Sequence, residues 1–469
     1  MLFSSITFLY CFLPCVLLLY FIVPNRMKNT VLLLASLFFY GWGEPKYLIF
    51  MLASVTQSYI AALLVERFRG TKIAKAALAV SAVASLGLLA YCKYADFFIG
   101  NFNAVTGLSV PLLRVALPVG ISFYTFQILS YVIDVYRGDV PAQRNFIDLA
   151  MYVAMFPQLI AGPIVRYSDI AGSLKNRKTT LADASEGITR FSVGLAKKIL
   201  LANSAALLVS EFKAYGEKTV LFYWLYAAAY MLHIYFDFSG YSDMAIGLGR
   251  IFGFRFCENF NYPYISASIT EFWRRWHISL SSWLRDYLYI SLGGNRKGKI
   301  RQYANLIITM FLGGLWHGAS WNFVFWGMLH GVALAAHKFW MGITGRKKGE
   351  RSHGIRRFFG IVITFHFVCF CWIFFRNADF STSLDMLNQI FTAFRPRLFT
   401  QLVEGYWEVF ALMSLGFFLH FVPDSWEHAC CKAVIRLPLI GKALLLVAMI
   451  YLVIQMKSSE IQPFIYFQF

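Results

Sequence analysis

The sequence FLGGLWHGASWNFVFWG, residues Phe311–Gly327, carries the strongest signal in this chain, because it places a histidine, His317, inside a long apolar run. The apolar segment before it, residues 303–316, is shorter than the roughly 20 residues that cross a bilayer. We expect a helix that enters the membrane from the cytoplasmic side and ends close to His317, near mid-membrane. Because hydrocarbon penalises polar side chains, a histidine kept at this depth predicts a functional site.

The composition indicates that lipid surrounds most of the chain. Its 469 residues are 58% hydrophobic, 18% aromatic and only 14% charged, whereas soluble domains average roughly 25% charged residues. The apolar segments predict an all-α integral membrane protein with about 11–13 transmembrane or re-entrant helices. Residues 3–23 lack the basic n-region and the cleavage site of a signal peptide, so we expect them to remain as a first span.

The net charge of +19 comes from lysines and arginines that collect in short loops between apolar segments. This distribution follows the positive-inside rule and predicts contact with anionic membrane lipid rather than with nucleic acid. The eight cysteines show no spacing typical of metal ligands and are interpreted as small apolar residues. We therefore predict no metal site.

The chain is interpreted as a single polytopic domain, residues 1–469, with two distinctive regions. Residues 303–341 form the histidine-containing hairpin. Residues 241–302 are both aromatic and basic without a full span, which favours amphipathic helices at the cytoplasmic interface. In that region, helical spacing would place Trp273 and Trp276 on one face.

The neighbours of His317 are predicted to shape its site. Glycines on either side remove Cβ atoms and allow a ligand or another backbone to come close. Asn322 and indole N–H groups are candidate donors to a developing oxyanion. Three tryptophans are expected to wall the ring: Trp316, Trp321 and Trp326. The alternative is a histidine packed between helices and bonded to a carbonyl, which is our interpretation of His330.

A second histidine, His277, lies in the sequence EFWRRWHISLSSWLRD, residues Glu271–Asp286. The arginines of this segment suit phosphate groups, such as those of coenzyme A or a phosphopantetheine arm. The predicted phosphate-binding residues are Arg274, Arg275 and Arg285. An interfacial helix with snorkelling side chains would explain these arginines equally well, but it would not explain His277.

Two carboxylates, Asp237 and Asp243, lie at the end of an apolar segment without a lysine or arginine within one turn in sequence. Their partners must therefore come from elsewhere. They could form structural ion pairs with an arginine of residues 250–285. Alternatively, they could contact the substrate along a polar path for the acceptor.

Several motifs together resemble those of the membrane-bound O-acyltransferase superfamily (MBOAT), in the AlgI-like and DltB-like bacterial branch. The resemblance covers nearly the whole chain, and both histidine positions match. The motifs are RRWHISLS (Arg274–Ser281), DYLYI (Asp286–Ile290), LGGNR (Leu292–Arg296), GGLWHGASW (Gly313–Trp321), FPQLIAGPI (Phe156–Ile164) and FIYF (Phe464–Phe467).

The resemblance implies a ring of tilted helices around a thin centre, with a funnel or tunnel that reaches the catalytic histidine. His317 matches that histidine, and His277 matches the second histidine motif. The family implies an acyl thioester as co-substrate, acetyl-CoA or an acyl-carrier protein, which arrives from the cytoplasm without any bound cofactor. It also implies an outer-face partner, such as an SGNH-type or AlgJ/AlgX-like acetyltransferase, which passes the group to a polysaccharide.

The residues agree with such chemistry, because thioester acyl transfer needs a base for the acceptor hydroxyl and imidazole suits that task near neutral pH. We expect a multi-pass protein of the bacterial cytoplasmic membrane. Two alternatives stay open at this point: a proton-coupled transporter or flippase of a glycan or acyl intermediate, and a scaffold for an external enzyme. The acceptor is also open among alginate, cellulose, peptidoglycan, teichoic acid and other glycans.

Overall fold

The computed structural model describes residues 1–43, 45–214, 220–345, 350, 352–377, 379–392, 397–422 and 424–455. All regular secondary structure in these ranges is helical, so the predicted all-α class is confirmed. The FIYF motif near residue 464 lies outside the described residues.

The described chain forms 21 α-helices and six shorter π or 3-10 turns. The α-helices are, in chain order, α1 (Leu13–Ile22), α2 (Lys28–Gly41), α3 (Leu48–Arg67), α4 (Lys72–Thr106), α5 (Ile121–Arg137), α6 (Phe146–Ala154), α7 (Phe156–Leu159), α8 (Tyr167–Lys175), α9 (Leu181–Ala196), α10 (Asn203–Ala214), α11 (Val220–Ile251), α12 (Ile269–Arg275), α13 (Ile278–Trp283), α14 (Lys299–His317), α15 (Trp321–Ile343), α16 (Gly354–Arg376), α17 (Phe380–Thr392), α18 (Arg397–Gly405), α19 (Trp407–Phe421), α20 (Asp424–Arg436) and α21 (Leu439–Gln455). The π-helical turns are Thr7–Phe12, Lys197–Ala202 and Leu284–Tyr289, and the 3-10 turns are Asn25–Met27, Pro45–Tyr47 and Pro263–Ile265.

Four helical segments in the described residues are long and apolar enough to cross a membrane. Shorter apolar helices occur at Thr7–Ile22 and Trp407–Phe421. Many of their large apolar side chains are exposed, as expected for surfaces that face lipid rather than water. The four long segments are Pro45–Arg67, Lys72–Thr106, Leu181–Ser210 and Gly354–Arg376.

The chain divides into two compact units, Met1–Phe191 with Tyr241–Cys257, and Ser192–Gly240 with Glu258–Phe469. We refer to them as the first and second units. Helices α9 and α11 contribute residues to both, because two of the three unit boundaries fall within these helices.

In the first unit, α3 packs against α4 and α5, and α2 packs against α6. The stretch 146–162 forms the two short helices α6 and α7, broken at Met155. The backbone N–H of Phe156 donates to Ser36 Oγ at 3.1 Å, which satisfies a donor that the break leaves free. Gly120 is the N-cap of α5 and has φ +76°. A Cβ there would lie 2.6 Å from the carbonyl oxygen of Leu159, so only glycine fits.

In the second unit, α14 and α15 form a tightly packed hairpin. The two backbones approach so closely that a Cβ on Gly314 would collide with the carbonyl oxygen of Phe323, and a Cβ on Gly327 would collide with that of Met310. A Cβ on Gly331 would lie 2.8 Å from Ile307 Cα. Small residues at such a seam are typical of helix pairs that associate in lipid.

Candidate active site

His317 is the last residue of α14, because Gly318 adopts an extended conformation and ends the helix. Its ring packs edge-on against Trp326 at 5.2 Å between centroids and against Phe375 at 5.1 Å. Phe323 stacks at 6.4 Å. His317 is buried but keeps 6% of its surface accessible. The chain therefore holds an imidazole at a helix end inside a largely aromatic wall.

The glycines next to His317 make room for protein as well as for any ligand. A Cβ on Gly318 would run into the ring of Phe323, and one on Gly313 would lie 3.2 Å from Leu284 Cδ1. Gly314 meets the backbone of α15, as described above. Of the two possibilities that the sequence left open, close approach of the protein itself accounts for these three positions.

Trp326 lies between two histidines, with its ring 5.2 Å from that of His317 and 4.7 Å from that of His330. It is 1% exposed, and its indole N–H has no hydrogen-bond partner within the described residues. An unsatisfied buried donor is costly and therefore unusual in a folded protein. Trp326 consequently presents an available donor beside His317.

His330, which the sequence suggested as a helix-packing group, belongs to the same aromatic cluster. Its Nδ1 accepts a hydrogen bond from Trp273 Nε1 at 3.2 Å, so the ring proton of the neutral form is on Nε2. That Nε2 is buried without a partner in the described part of the chain. Sequence spacing could not reveal this arrangement, because Trp273 lies 57 residues away.

His277 is fully buried, and its Nδ1 lies 3.1 Å from Asn259 Oδ1. The same oxygen accepts hydrogen bonds from the backbone N–H of Ser279 at 3.3 Å and from its hydroxyl at 2.9 Å. Because the backbone N–H can only donate, the amide oxygen faces this group, and His277 Nδ1 must be the donor to it. The lone pair of His277 is thereby assigned to Nε2.

The backbone around His277 is also unusual. His277 has φ +43°, in the left-handed region that few non-glycine residues adopt. Two backbone bonds secure the loop: Ile278 N–H donates to the Asn259 carbonyl and Asn261 N–H to that of Arg275, both at 2.9 Å. Burial lowers the pKa of His277, which lies outside the four candidate spans, to about 3, so the ring is neutral near pH 7.

This loop corrects the expectation of a shared helical face. Helix α12 ends at Arg275, Trp276 is extended, and α13 begins only at Ile278. Trp273 and Trp276 therefore do not continue on one helix. The break has a clear consequence, since it places His277 against Trp316, with ring centroids 6.1 Å apart, while Trp316 lies 5.1 Å from His317.

The three arginines predicted to bind phosphate have different surroundings. Arg275 is engaged by Glu271, with Nη2 3.1 Å from Oε1, and donates from Nη1 to the Asn261 carbonyl. Arg285 pairs with its neighbour Asp286 at 2.6 Å. Arg274 is exposed and forms no ion pair within the described residues. It is thus the most available of the three.

Two predicted contacts of His317 are arranged differently from our expectation. The side chain of Trp321 is 58% exposed, so it does not form a buried wall with Trp316 and Trp326. Asn322 is buried, but its amide N–H₂ donates to the Asn377 carbonyl at 2.8 Å and ties α15 to the residue that follows α16. One of its two amide N–H donors is therefore used within the protein.

The two carboxylates pair with cations, but the expected partners were wrong. Asp243 binds Arg190 at 2.8 Å in the first unit. Asp237 binds Lys198 at 2.5 Å in the second unit. Both cations come from earlier in the chain, not from residues 250–285. Neither pair was visible in sequence, because each joins segments about 40 to 50 residues apart.

Within the described residues, no three histidine, cysteine, aspartate or glutamate side chains converge as a metal site requires.

Long apolar helices and two histidines buried among aromatic rings together define an integral membrane protein with a site suited to proton transfer.

The chain belongs to the membrane-bound O-acyltransferase family, whose model matches residues 140–378 and so includes both histidines. This confirms the family that the motifs indicated.

The chain is similar along most of its length to several bacterial acyltransferases. It is 47% identical to the "Probable alginate O-acetylase AlgI" of Pseudomonas syringae, over 84% of this chain and 75% of that protein. It is 36% identical to the "Peptidoglycan O-acetyltransferase" of Helicobacter pylori, over 83% and 79%. It is 30% identical to the "Teichoic acid D-alanyltransferase" of Bacillus subtilis, over 56% and 69%. The protein is a multi-pass membrane O-acyltransferase, which favours the enzyme over the transporter and scaffold alternatives.

Proposed function

We propose that the protein transfers an acetyl or similar acyl group from a cytoplasmic thioester to a hydroxyl group on the outer side of the bacterial cytoplasmic membrane. The product serves O-acetylation of an exported polysaccharide. The observation that carries the proposal is the position of His317 at the end of α14, where it is buried among aromatic rings but still partly accessible. His277, by contrast, has no accessible surface.

In the proposed reaction, His317 accepts the proton of the acceptor hydroxyl as the oxygen attacks the thioester carbonyl carbon. A new C–O bond forms, and the carbonyl oxygen becomes an oxyanion. When the intermediate collapses, the C–S bond breaks and the thiolate takes the proton back from the imidazolium. Acyl transfer thus needs no redox partner, and the thioester is a co-substrate rather than a bound cofactor.

The indole N–H of Trp326 is our proposed oxyanion donor. The Trp326 ring packs against that of His317, and its N–H is buried and has no competing partner in the described residues. A pre-positioned donor in such a site stabilises the transition state without reorganisation during the reaction. Asn322, suggested by sequence, uses one of its two amide N–H donors on the Asn377 carbonyl and is the second choice.

The second histidine, His277, is proposed to act through its Nε2 lone pair. Asn259 holds the ring in the Nδ1-protonated form, so the buried Nε2 keeps a lone pair that can accept a hydrogen bond from a water in the site. Trp316 separates this ring from His317. We propose that His277, which has no accessible surface, acts as a positioning residue through Trp316, while His317 takes the proton of the acceptor hydroxyl.

The donor is proposed to be acetyl-CoA, with an acyl-carrier protein as the other thioester of the same chemistry. Arg274, exposed and without an ion pair in the described residues, would contact its phosphates. Arg275 and Arg285 are proposed to add positive charge for the same phosphates, although each is paired with a carboxylate, Glu271 and Asp286 respectively. The acceptor is proposed to be a polysaccharide, reached through an extracytoplasmic SGNH-type or AlgJ/AlgX-like acetyltransferase. The relatives named for alginate and peptidoglycan support a glycan acceptor.

The test uses membrane vesicles that contain the full chain, with labelled acetyl-CoA on the cytoplasmic side and the glycan with its partner enzyme on the other. His317→Ala should abolish covalent transfer of label, by at least about 100-fold, with unchanged protein level. His366→Ala is the matched control, because His366 is an exposed histidine of α16 and should retain activity. Full transfer by His317→Ala would refute the proposal.

A further inference from the structure

A groove of about 490 Å³ runs along the first unit between α2 on one side and α1 with its preceding π turn on the other. Its walls are apolar almost throughout, with Cys15 and Leu19 opposite Leu34 and Phe38. Leu19, Leu34 and Phe38 are all exposed, so the groove opens to the surroundings. Its volume is within the roughly 300–1,000 Å³ typical of small-molecule sites.

The groove has the length of one membrane leaflet. On the α2 side it extends from Val31 to Trp42, which spans roughly 16 Å at a helical rise of 1.5 Å per residue. The hydrocarbon core is about 30 Å thick, so one leaflet is about 15 Å deep. An extended acyl chain that entered at one end would thus be covered along one leaflet.

Two cations lie at the end of the groove formed by Leu19 and Val31. Lys28 Nζ lies 5.0 Å from the ring centroid of Tyr20, the residue after Leu19. The guanidinium carbon of Arg177 lies 5.6 Å from the same ring. Lys28 precedes Val31 by one helical turn, so it stands just beyond this end of the groove, with its ammonium group over the ring of Tyr20.

Neither cation forms an ion pair within the described residues. Arg177 donates to Tyr20 Oη at 2.8 Å and to Asn29 Oδ1 at 2.6 Å, both uncharged groups. The nearby carboxylate of Asp148 accepts from Asn29 Nδ2 at 2.6 Å and pairs with neither cation. Two cations without a direct ion pair in the described residues therefore stand next to this end of the groove, and Asn29 links one of them, Arg177, to Asp148.

We propose that this groove binds one anionic glycerophospholipid, with an acyl chain along its apolar walls and the headgroup phosphate at Lys28. Arg177 adds to the local positive potential and fixes Tyr20 in place. Lys28 and Arg177 belong to short basic loops, which the sequence predicts on the cytoplasmic side. Anionic lipid attracts clustered lysine and arginine residues there. This site is independent of the acyl-transfer site and does not rest on its mechanism.

The experiment measures lipid retention by native mass spectrometry of the full chain, released from nanodiscs of equal phosphatidylglycerol and phosphatidylcholine. The wild-type protein should retain one phosphatidylglycerol in preference to phosphatidylcholine. Lys28→Gln should reduce that preference by about fivefold, since the cation next to this end of the groove is lost. Ala35→Phe, which fills the groove, should reduce retention of both lipids.

Arg26→Gln is the matched control, because Arg26 is an exposed cation of the same loop without a ring contact in the described residues. It should leave the preference unchanged. Cys15 provides a second readout, since it is a free thiol in the groove wall and the bound chain should slow its reaction with a maleimide. Equal retention of the two lipids by wild type, or equal effects of the Lys28 and Arg26 variants, would overturn the proposal. Unchanged Cys15 reactivity on adding phosphatidylglycerol would overturn it as well.

Discussion

Lys198 Nζ lies 2.5 Å from Asp237 Oδ1, and their side chains are only 5% and 0% exposed. The lysine belongs to the π turn Lys197–Ala202 and the aspartate to α11. This turn packs so closely on α11 that a Cβ on Gly240 would lie 3.2 Å from the backbone nitrogen of Lys198. A buried ion pair of this kind is costly to form and even more costly to break on one side.

Replacing one partner of this pair should therefore destabilise the protein strongly. We expect Lys198→Met or Asp237→Leu alone to cost about 3–5 kcal/mol, because each leaves a buried charge without its partner. The double variant should recover most of that loss. Thermal unfolding of the purified protein in one detergent measures the three effects. Additive losses in the double variant would show that the two residues do not depend on each other.

Removal of the Trp326 indole N–H should slow catalysis without disturbing the fold. Trp326→Phe keeps an aromatic ring between His317 and His330 but loses the donor. We expect kcat to fall by about 10²–10³ with little change in KM, as for loss of an oxyanion donor. Steady-state transfer from labelled acetyl-CoA measures both constants. Trp340→Phe, an exposed tryptophan of α15, is the control, and an equal loss in both variants would contradict the assigned role.

The bond between Asn259 and His277 should matter through the orientation of the histidine. Asn259→Ala removes the acceptor that holds His277 Nδ1–H, and we expect kcat to fall about tenfold or more. Asn259→Asp keeps an oxygen that can accept the same bond, so it should restore a large part of the activity. The pH dependence of kcat should shift in the aspartate variant, because its carboxylate beside Nδ1–H raises the pKa of His277. If the two variants behave alike, the bond does not position the ring.

The glycine seam of the α14–α15 hairpin should tolerate no side chain. Gly327→Val places atoms against the Met310 carbonyl, and overpacking of this kind costs about 1–3 kcal/mol. The apparent Tm should fall accordingly in a detergent-based unfolding assay. Gly342, on the same helix, has open space around it. Gly342→Ala should therefore be neutral or slightly stabilising, and a similar loss there would show that the seam is not the cause.

Much of the site could be predicted because its signals are local in sequence. Composition indicated lipid around the chain, and the apolar run interrupted at His317 indicated a helix end. The motifs around His277 and His317 indicated the family, which the relatives confirm. The roles of individual residues stay predictions. The exposure of Trp321 could not be predicted, because an apolar run does not tell which of its tryptophans is buried.

The sequence by itself determined that this is a helical membrane acyltransferase with two histidines at matching positions, because hydropathy and short motifs depend only on neighbouring residues. Only the tertiary structure decided that Lys198 is the partner of Asp237, that Asn259 sets the His277 proton, and that the Trp326 indole N–H is buried without a partner in the described residues. These relationships join residues on different helices or on opposite sides of a loop. Their existence depends on how helices pack, and hydropathy and short motifs do not record that packing.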